Sequence, residues 1–432
     1  MGRAAGGAGA VAKRLGEPPL WKVCLLIFVL AFAVRLGLVV VRGDYTNLTR
    51  TDQCLVALSI VETGVFGNPY VLPTGPTAHY PPAHPFLLSL IYRAFGTGIE
   101  AEFAKQALGC FVSSLQYALL PLLGLVIRIP ARVFLVAGFA GALLPVKYGS
   151  ETRGDFEAPD AAVALIVICL LTLHGLRSSR RPGLLAILKG LCWGLAFHIA
   201  PQLLPVFVGL LAVEWFLTAR EDRARHFLRT AVLVGTTLLT LLPWTIRNYK
   251  QFGALFFMRD NLGLEMYISY RDGASARLTY NYPPEPHGVH PVYSRRQALR
   301  VQELGEHAYN LEKQRMALEW ISSHPGRFVY LTLLRFLYFW FHFTGDWVRD
   351  PIFWILTVGG FIGLRALYRV DRQTALLFTT IWLTYPIPYY FFQASTRYRY
   401  PIDWIFLLLT CLAVVNLIEK RLRRVEPPIA AG

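Results

Sequence analysis

Asp52 stands about ten residues beyond the end of the first long apolar run, in "RGDYTNLTRTDQCLV". A carboxylate held there, just above a bilayer, suits a catalytic base, and it equally suits the first turn of a helix. Glu151, Asp155, Glu157 and Asp160 fall within ten positions of "KYGSETRGDFEAPDAAVAL". Such a cluster can bind a metal, orient a polar substrate or solvate a loop. Asp160 is the acid to watch, because it opens the next apolar run and is poorly placed for solvation alone. Two basic groups end apolar runs or begin them: Arg247 and Lys250 in "PWTIRNYKQFG", and Arg397, Tyr398 and Arg399 in "STRYRYPIDWIF". Guanidinium pairs with phosphate bidentately, so these stretches suit an anion at the membrane surface, beside the alternative of cations snorkelling to the interface. His79, Tyr80 and His84 lie in "TAHYPPAHPF" between two amphipathic stretches. His79, His84, His287 and His290 show no metal-ligand spacing, and no metal or other cofactor is expected from them.

These residues need a frame. The chain has 432 residues, 54% hydrophobic and only 16% charged, against about 25% charged in soluble domains. That composition belongs to a polytopic membrane protein. Apolar windows fall at 23–41, 104–127, 132–147, 160–176, 184–200, 201–218, 228–244, 327–343, 351–368, 374–392 and 401–418. The 184–218 run is twice a bilayer's length, and Pro201 and Pro205 mark its break. The window 327–343 carries Arg335 at its centre and is dense in aromatics, which suits an interfacial helix. Arg35, inside the first window, must snorkel or face the protein interior. The expected fold is therefore an all-α polytopic membrane protein with about ten transmembrane helices, eleven if 327–343 crosses, and amphipathic helices in two large extracytoplasmic loops.

With ten spans both termini are cytoplasmic, and charge sorts with that topology. The segments 1–22, 128–132, 177–189, 214–229, 365–372 and 419–432 hold 21 Lys/Arg against 7 Asp/Glu. The remainder outside the spans holds 21 against 19, and Arg35 cancels Asp403. The net charge of +16 is thus an orientation signal and calls for no nucleic-acid partner. The organisation expected is a cytoplasmic tail at 1–22, a transmembrane catalytic module at 23–244 with the first external loop at 42–103, an extracytoplasmic region at 245–350 with interfacial helices, C-terminal spans at 351–418, and a cytoplasmic tail at 419–432. In the first external loop Leu55, Val56, Leu58, Ile60 and Val61 mark one amphipathic helix, capped by Thr51 or Asp52, and a second starts after Pro85. Asn47-Leu48-Thr49 matches a glycosylation acceptor pattern. All six cysteines lack a CxxC partner, and five lie in apolar runs, so they read as small buried hydrophobes.

Taken in order, an acid soon after the first span, "HYPPAHPFLLSLIYRAFG", "LLPWTIRNYKQFG", "LGEHAYNLEKQRMALEWISSHPGRF" and "STRYRYPIDWIFLLL" resemble the C-type (GT-C fold) membrane glycosyltransferases. Within them the order is similar to bacterial relatives of dolichyl-phosphate-mannose protein mannosyltransferases and of lipid A aminoarabinose transferases. The resemblance covers residues 23 to about 420. It implies a bacterial inner-membrane enzyme that moves a hexosyl or pentosyl unit from a polyprenyl-phosphate carrier to a glycan, lipid or protein acceptor of the envelope, on the outer side. It implies Asp52 as base, with Asp160 or Glu157 assisting, and Arg247, Lys250, Arg397, Tyr398 and Arg399 about the carrier phosphate. His79, Tyr80 and His84 then belong to a loop that meets donor or acceptor. Many relatives carry a second acid beside the first; this chain has Gln53. Relatives differ in whether they need a divalent metal. The chemistry agrees with the resemblance: a sugar hydroxyl needs a base, and a departing lipid phosphate needs cations. A carrier-lipid flippase or polymer ligase would share the phosphate site without needing Asp52. A secondary transporter would show internal repeats and more buried charge, and neither is seen in the sequence.

Overall fold

The computed structural model describes residues 19–48, 50–144, 157–178, 181–282 and 287–425. Glu151, Asp155, Thr49 of the acceptor pattern and most of both tails lie outside them. The described residues form helices and no named strand, with isolated bridges only at Gly67–Pro76 and Arg277–Ala394.

Each of the ten expected spans contains a helix. Among the described residues seven helices are long and apolar enough to cross a membrane. They include α1 (Leu20–Arg42), which rises about 34 Å at 1.5 Å per residue and stops at Gly43, whose φ of 65° is left-handed. Next in the chain are α2 (Asp52–Thr63), α3 (Ala83–Phe95), α4 (Ile99–Leu123), α5 (Ala131–Leu143) and α6 (Glu157–Ser178). The 184–218 run breaks where expected: α7 (Pro182–Ile199) gives way to a 3₁₀ turn at Pro201–Leu203, then α8 (Leu204–Leu217). α9 (Arg223–Phe252) runs well past the apolar window and ends at Gly253, so "WTIRNYK" is the last two turns of a helix rather than a loop. The loop face follows with α10 (Leu262–Ser269), α11 (Arg295–Leu304), α12 (Glu306–Ser323) and α13 (Pro325–Trp340). The C-terminal part comprises α14 (Arg349–Val370), α15 (Arg372–Thr384), the short α16 (Ile387–Phe391) and α17 (Tyr400–Val425).

Buried charge in the apolar windows is satisfied internally. Arg35 is fully buried and donates to Ser113 Oγ at 3.0 Å and to the carbonyls of Ala31, Gly141 and Ala142 at 3.1–3.2 Å, over the Tyr117 ring. Arg335 turns inward from α13 onto the carbonyls of Ser269 and Phe391. α13 has 16 residues and is not among the helices long and apolar enough to cross. Its inner face joins Met266, Tyr267, Tyr270 and Ala317 of the loop face. Cys54, Cys110, Cys169 and Cys411 are buried and Cys24 and Cys192 half-buried, all as free thiols.

Small residues let the spans meet closely. α14 lies against α17 through Gly359, Gly360 and Gly363. A Cβ on Gly363 would fall 1.9 Å from the Leu409 carbonyl oxygen, an atom that cannot rotate away. Gly363→Ala must part the two helices and is expected to cost about 1–3 kcal/mol, read as a lowered thermal midpoint in detergent. Gly235→Ala is the control. A Cβ there meets nothing within 4 Å, and its midpoint should hold or rise.

Candidate active site

The first external loop folds back so that its chemistry-bearing residues meet at the loop-side ends of the spans. α2 forms because Cys54, Val56, Ala57, Leu58 and Ile60 pack into the body of the protein. Thr51 occupies the N-cap position, yet its hydroxyl goes to Cys54 Sγ at 3.3 Å and caps no backbone N–H. Asp52 is thereby the first residue of the helix. The Tyr80 hydroxyl donates to Asp52 Oδ2, and the Gln53 N–H lies 3.2 Å from Oδ1. Burial raises the Asp52 pKa above the ordinary carboxylate value, with the Tyr80 hydrogen bond and the positive charge of Arg397 pulling it back. Tyr80 is held well above its ordinary value by burial and by the Asp52 charge, so it stays a proton donor.

The other two expected acids come from the start of α6. Gln53 donates to Glu157 Oε2 at 3.1 Å, and Gln202, in the break between α7 and α8, reaches Glu157 Oε1 at 3.5 Å. Gln53 thus ties α2 to α6. Asp160 Oδ2 lies 2.7 Å from His84 Nε2 of α3, with the histidine almost fully buried and the carboxylate about one-fifth exposed. Asp52, Tyr80, Gln53 and Glu157 form one connected set, and His84 with Asp160 forms a second.

The cations separate by role. Arg397 is exposed, rests on the Tyr398 ring at 5.5 Å, and its charge reaches Asp52. Arg399, two residues on, is fully buried: it pairs with Asp403 at 2.7 Å, donates to Thr357 Oγ1 and the Trp340 carbonyl, and stacks 4.1 Å from the Phe406 ring. The Tyr398 ring stacks on Tyr389 at 4.7 Å. Arg247 donates to the carbonyls of Thr77 and Phe66 at 2.7 and 2.9 Å and lies over the Trp244 ring. It fastens the first loop to α9. Lys250, in the last turn of α9, is exposed.

Three residues that the sequence did not single out, Glu265, Arg259 and Glu306, complete the site. Glu265 of α10 accepts from Gln393 at 3.1 Å and from Asn261 at 3.3 Å. Burial raises its pKa, the Asp52 charge adds to the rise, and Arg259 and Arg397 oppose it. Asp52 and Glu265 are therefore two carboxylates that feel each other and share the field of Arg397. Arg259 donates to the His79 carbonyl at 2.9 Å and covers the Tyr80 ring. No motif marks Glu265 or Arg259; they lie about 200 residues after Asp52, Arg259 just before α10 and Glu265 within it. His79 is buried among Tyr70, Tyr80 and His290, and burial lowers its pKa well below the ordinary value. The ring is neutral. Among the described residues no group of three or more His, Cys, Asp or Glu is arranged to hold a metal ion.

Glu306, at the start of α12, is the third. It accepts from the Thr77 hydroxyl at 2.5 Å and the Ala78 N–H at 2.6 Å, and so anchors the segment that leads into His79 and Tyr80. Burial outweighs those two bonds and raises its pKa from 4.5 to about 7. The folded state then holds a proton more tightly than the unfolded chain. The resulting stabilisation is complete below about pH 4.5 and is lost as pH rises to about 7, a change of about 3 kcal/mol. Glu306→Gln, neutral throughout, is expected to remove that slope. Thermal midpoints of both proteins across this range check it.

No family model matches the chain, and no curated protein matches it. Among solved structures it is similar to the archaeal oligosaccharyltransferase AglB from Archaeoglobus fulgidus in complex with an inhibitory peptide and a dolichol-phosphate. The TM-score is 0.52 and the identity 15%, over 96% of this chain and 52% of that one. The apo form of the Archaeoglobus fulgidus oligosaccharyltransferase gives a TM-score of 0.52 and 14% identity, over 94% and 51%. The chain spans about half the length of the structures it matches. At this identity the likeness establishes the fold, and it is the GT-C-like, all-α membrane fold that the order of motifs leads one to expect.

Proposed function

We propose that this protein is a membrane glycosyltransferase that moves a sugar, hexosyl or pentosyl, from a polyprenyl-phosphate carrier to an acceptor hydroxyl on the extracytoplasmic side. The observation that carries the proposal is the hydrogen-bonded set of Asp52, Tyr80, Gln53 and Glu157 at the loop-side ends of the spans, with the charge of Arg397 lowering the Asp52 pKa. A base and a phosphate-holding cation then serve one site. Asp52 takes the proton of the acceptor hydroxyl as its oxygen bonds to the sugar C1. The bond from C1 to the carrier phosphate breaks, and its electron pair leaves with the phosphate. Arg397 stabilises the charge that grows there, with Lys250 placed for the carrier at the rim. Tyr80 and Arg259 orient the base, and Glu265 and Glu157 offer acceptors to sugar hydroxyls. Asp160 and His84 hold α3 to α6 beside them. Arg247 and Arg399 support this site through the loop and the last span. The shared fold with a protein whose structure is in complex with a dolichol-phosphate supports the carrier, and the motif order supports the nearer resemblance to bacterial protein mannosyltransferase and aminoarabinose transferase relatives. With the positive charge bias of the short loops, the termini are cytoplasmic and the acceptor is a glycan, lipid or protein of a bacterial envelope.

The test offers the purified full chain polyprenyl-phosphate hexoses and pentoses with labelled sugar, and membrane extract as acceptor. Label passing from at least one donor to acceptor is expected. Donor bound with no label moved from any of them would overturn the proposal and favour a flippase or ligase.

A further inference from the structure

A groove of about 480 Å³ opens between the Gly273–Tyr280 loop and α13. Arg277 and Tyr280 line one wall, and Arg327, Tyr330, Leu334 and Tyr338 line the other. Neither guanidinium is paired with a carboxylate of the groove, since no lining residue is acidic. Each is held against a phenol ring instead: Arg277 over Tyr338 at 4.8 Å and Arg327 over Tyr330 at 4.9 Å. Rings fix the two cations without neutralising them. The nearest acid in sequence, Asp272, accepts from the Trp320 indole.

The groove adjoins the segments that lead into two long apolar helices, α14 and α17. Arg277 donates to the carbonyl of Phe343, six residues before α14, and pairs as an isolated bridge with Ala394, six residues before α17. α13 also turns a row of apolar side chains outward at Val329, Leu333, Phe336 and Leu337, each about half exposed. Apolar side chains beside paired cations and tyrosines are what an interfacial helix presents to lipid.

We infer that this groove is a binding site for the phosphate headgroup of an anionic membrane lipid. The two guanidiniums grip the phosphodiester, and the acyl chains run along the outer row of α13. The site shares no residue with the Asp52 cluster, and the inference stands whether or not that cluster transfers sugar.

Native mass spectrometry of the full chain in detergent tests it, with dioleoyl phosphatidylglycerol as probe and dioleoyl phosphatidylcholine as comparison. Wild type should hold phosphatidylglycerol about tenfold more tightly than phosphatidylcholine. Arg327→Gln should weaken that binding about fivefold, and Arg277→Gln with Arg327→Gln at least about tenfold. Arg315→Gln, an exposed cation on α12 outside the groove, should leave it unchanged. Arg277 also bonds the main chain, so loss of folded protein in the double variant does not decide the matter; Arg327, exposed and resting on a ring, keeps the test decisive alone. Equal binding of the two lipids, or wild-type affinity in Arg327→Gln, would overturn the inference. Tail-less glycerophosphoglycerol binding as tightly as the lipid would also overturn it, in favour of a soluble phosphate ligand.

Discussion

Asp52→Asn is expected to lower the rate of sugar transfer about 100- to 10,000-fold, the range for loss of a positioned general base. The amide keeps the shape of the side chain and an oxygen for the Tyr80 hydroxyl, so the site should stay assembled. Donor affinity should change little, since the carrier phosphate is assigned to Arg397. The loss then falls on kcat, which separates a chemical role from a structural one. The pH profile gives a second, independent reading. Burial raises the Asp52 pKa, so wild-type activity should fall as pH drops through a value above the usual carboxylate range. The residual activity of the Asn variant should lack that acid limb. Rates against pH for both proteins, with donor saturating, check both parts. An Asn variant with a wild-type kcat would remove Asp52 from the chemistry.

The second large effect is expected from Arg397→Gln: a loss of about 100- to 1,000-fold in transfer, as for removal of one group that stabilises transition-state charge. Arg397 is exposed, so stability should move by no more than about 0.5 kcal/mol. Because its charge lowers the Asp52 pKa, its removal should also shift the acid limb of the remaining activity to higher pH. A merely anchoring arginine would produce neither the rate loss nor the shift. Transfer rates, the pH profile and the thermal midpoint of one variant preparation distinguish the cases.

Hydropathy made the spans legible because burial in lipid demands long apolar runs, and it located the break at Pro201. It also brought out α2 and α3, whose apolar faces are local in sequence. Asp52, Tyr80, His84, Glu157 and Asp160 stood out for a related reason: each is a polar group beside an apolar element. Glu265, Arg259 and Glu306 did not. Arg259 and Glu306 find their partners only when the 245–350 region returns over the first loop, and Glu265 finds Gln393 far along the chain. The arginines show a different limit. Arg247, Arg397 and Arg399 are alike in sequence, since a guanidinium suits phosphate and backbone carbonyl equally. Which one stays open to an anion depends on which carbonyls the fold sets beside it. Gln53 reads in the sequence as a missing acid; in three dimensions its amide is a link to Glu157.

Arg35 also bears on how the chain is made. Its helix leaves the ribosome before the groups outside α1 that hold its guanidinium, which follow 78, 106 and 107 residues later. At about 5–20 residues per second the wait for Gly141 and Ala142 is about 5–20 s. During that interval the first helix carries a charge with no place in hydrocarbon. It must linger in the insertion machinery, or sit shifted toward the water, until α4 and α5 arrive. Biosynthesis of this protein is thus a matter of timing: α1 reaches its final depth only after α5 has been translated.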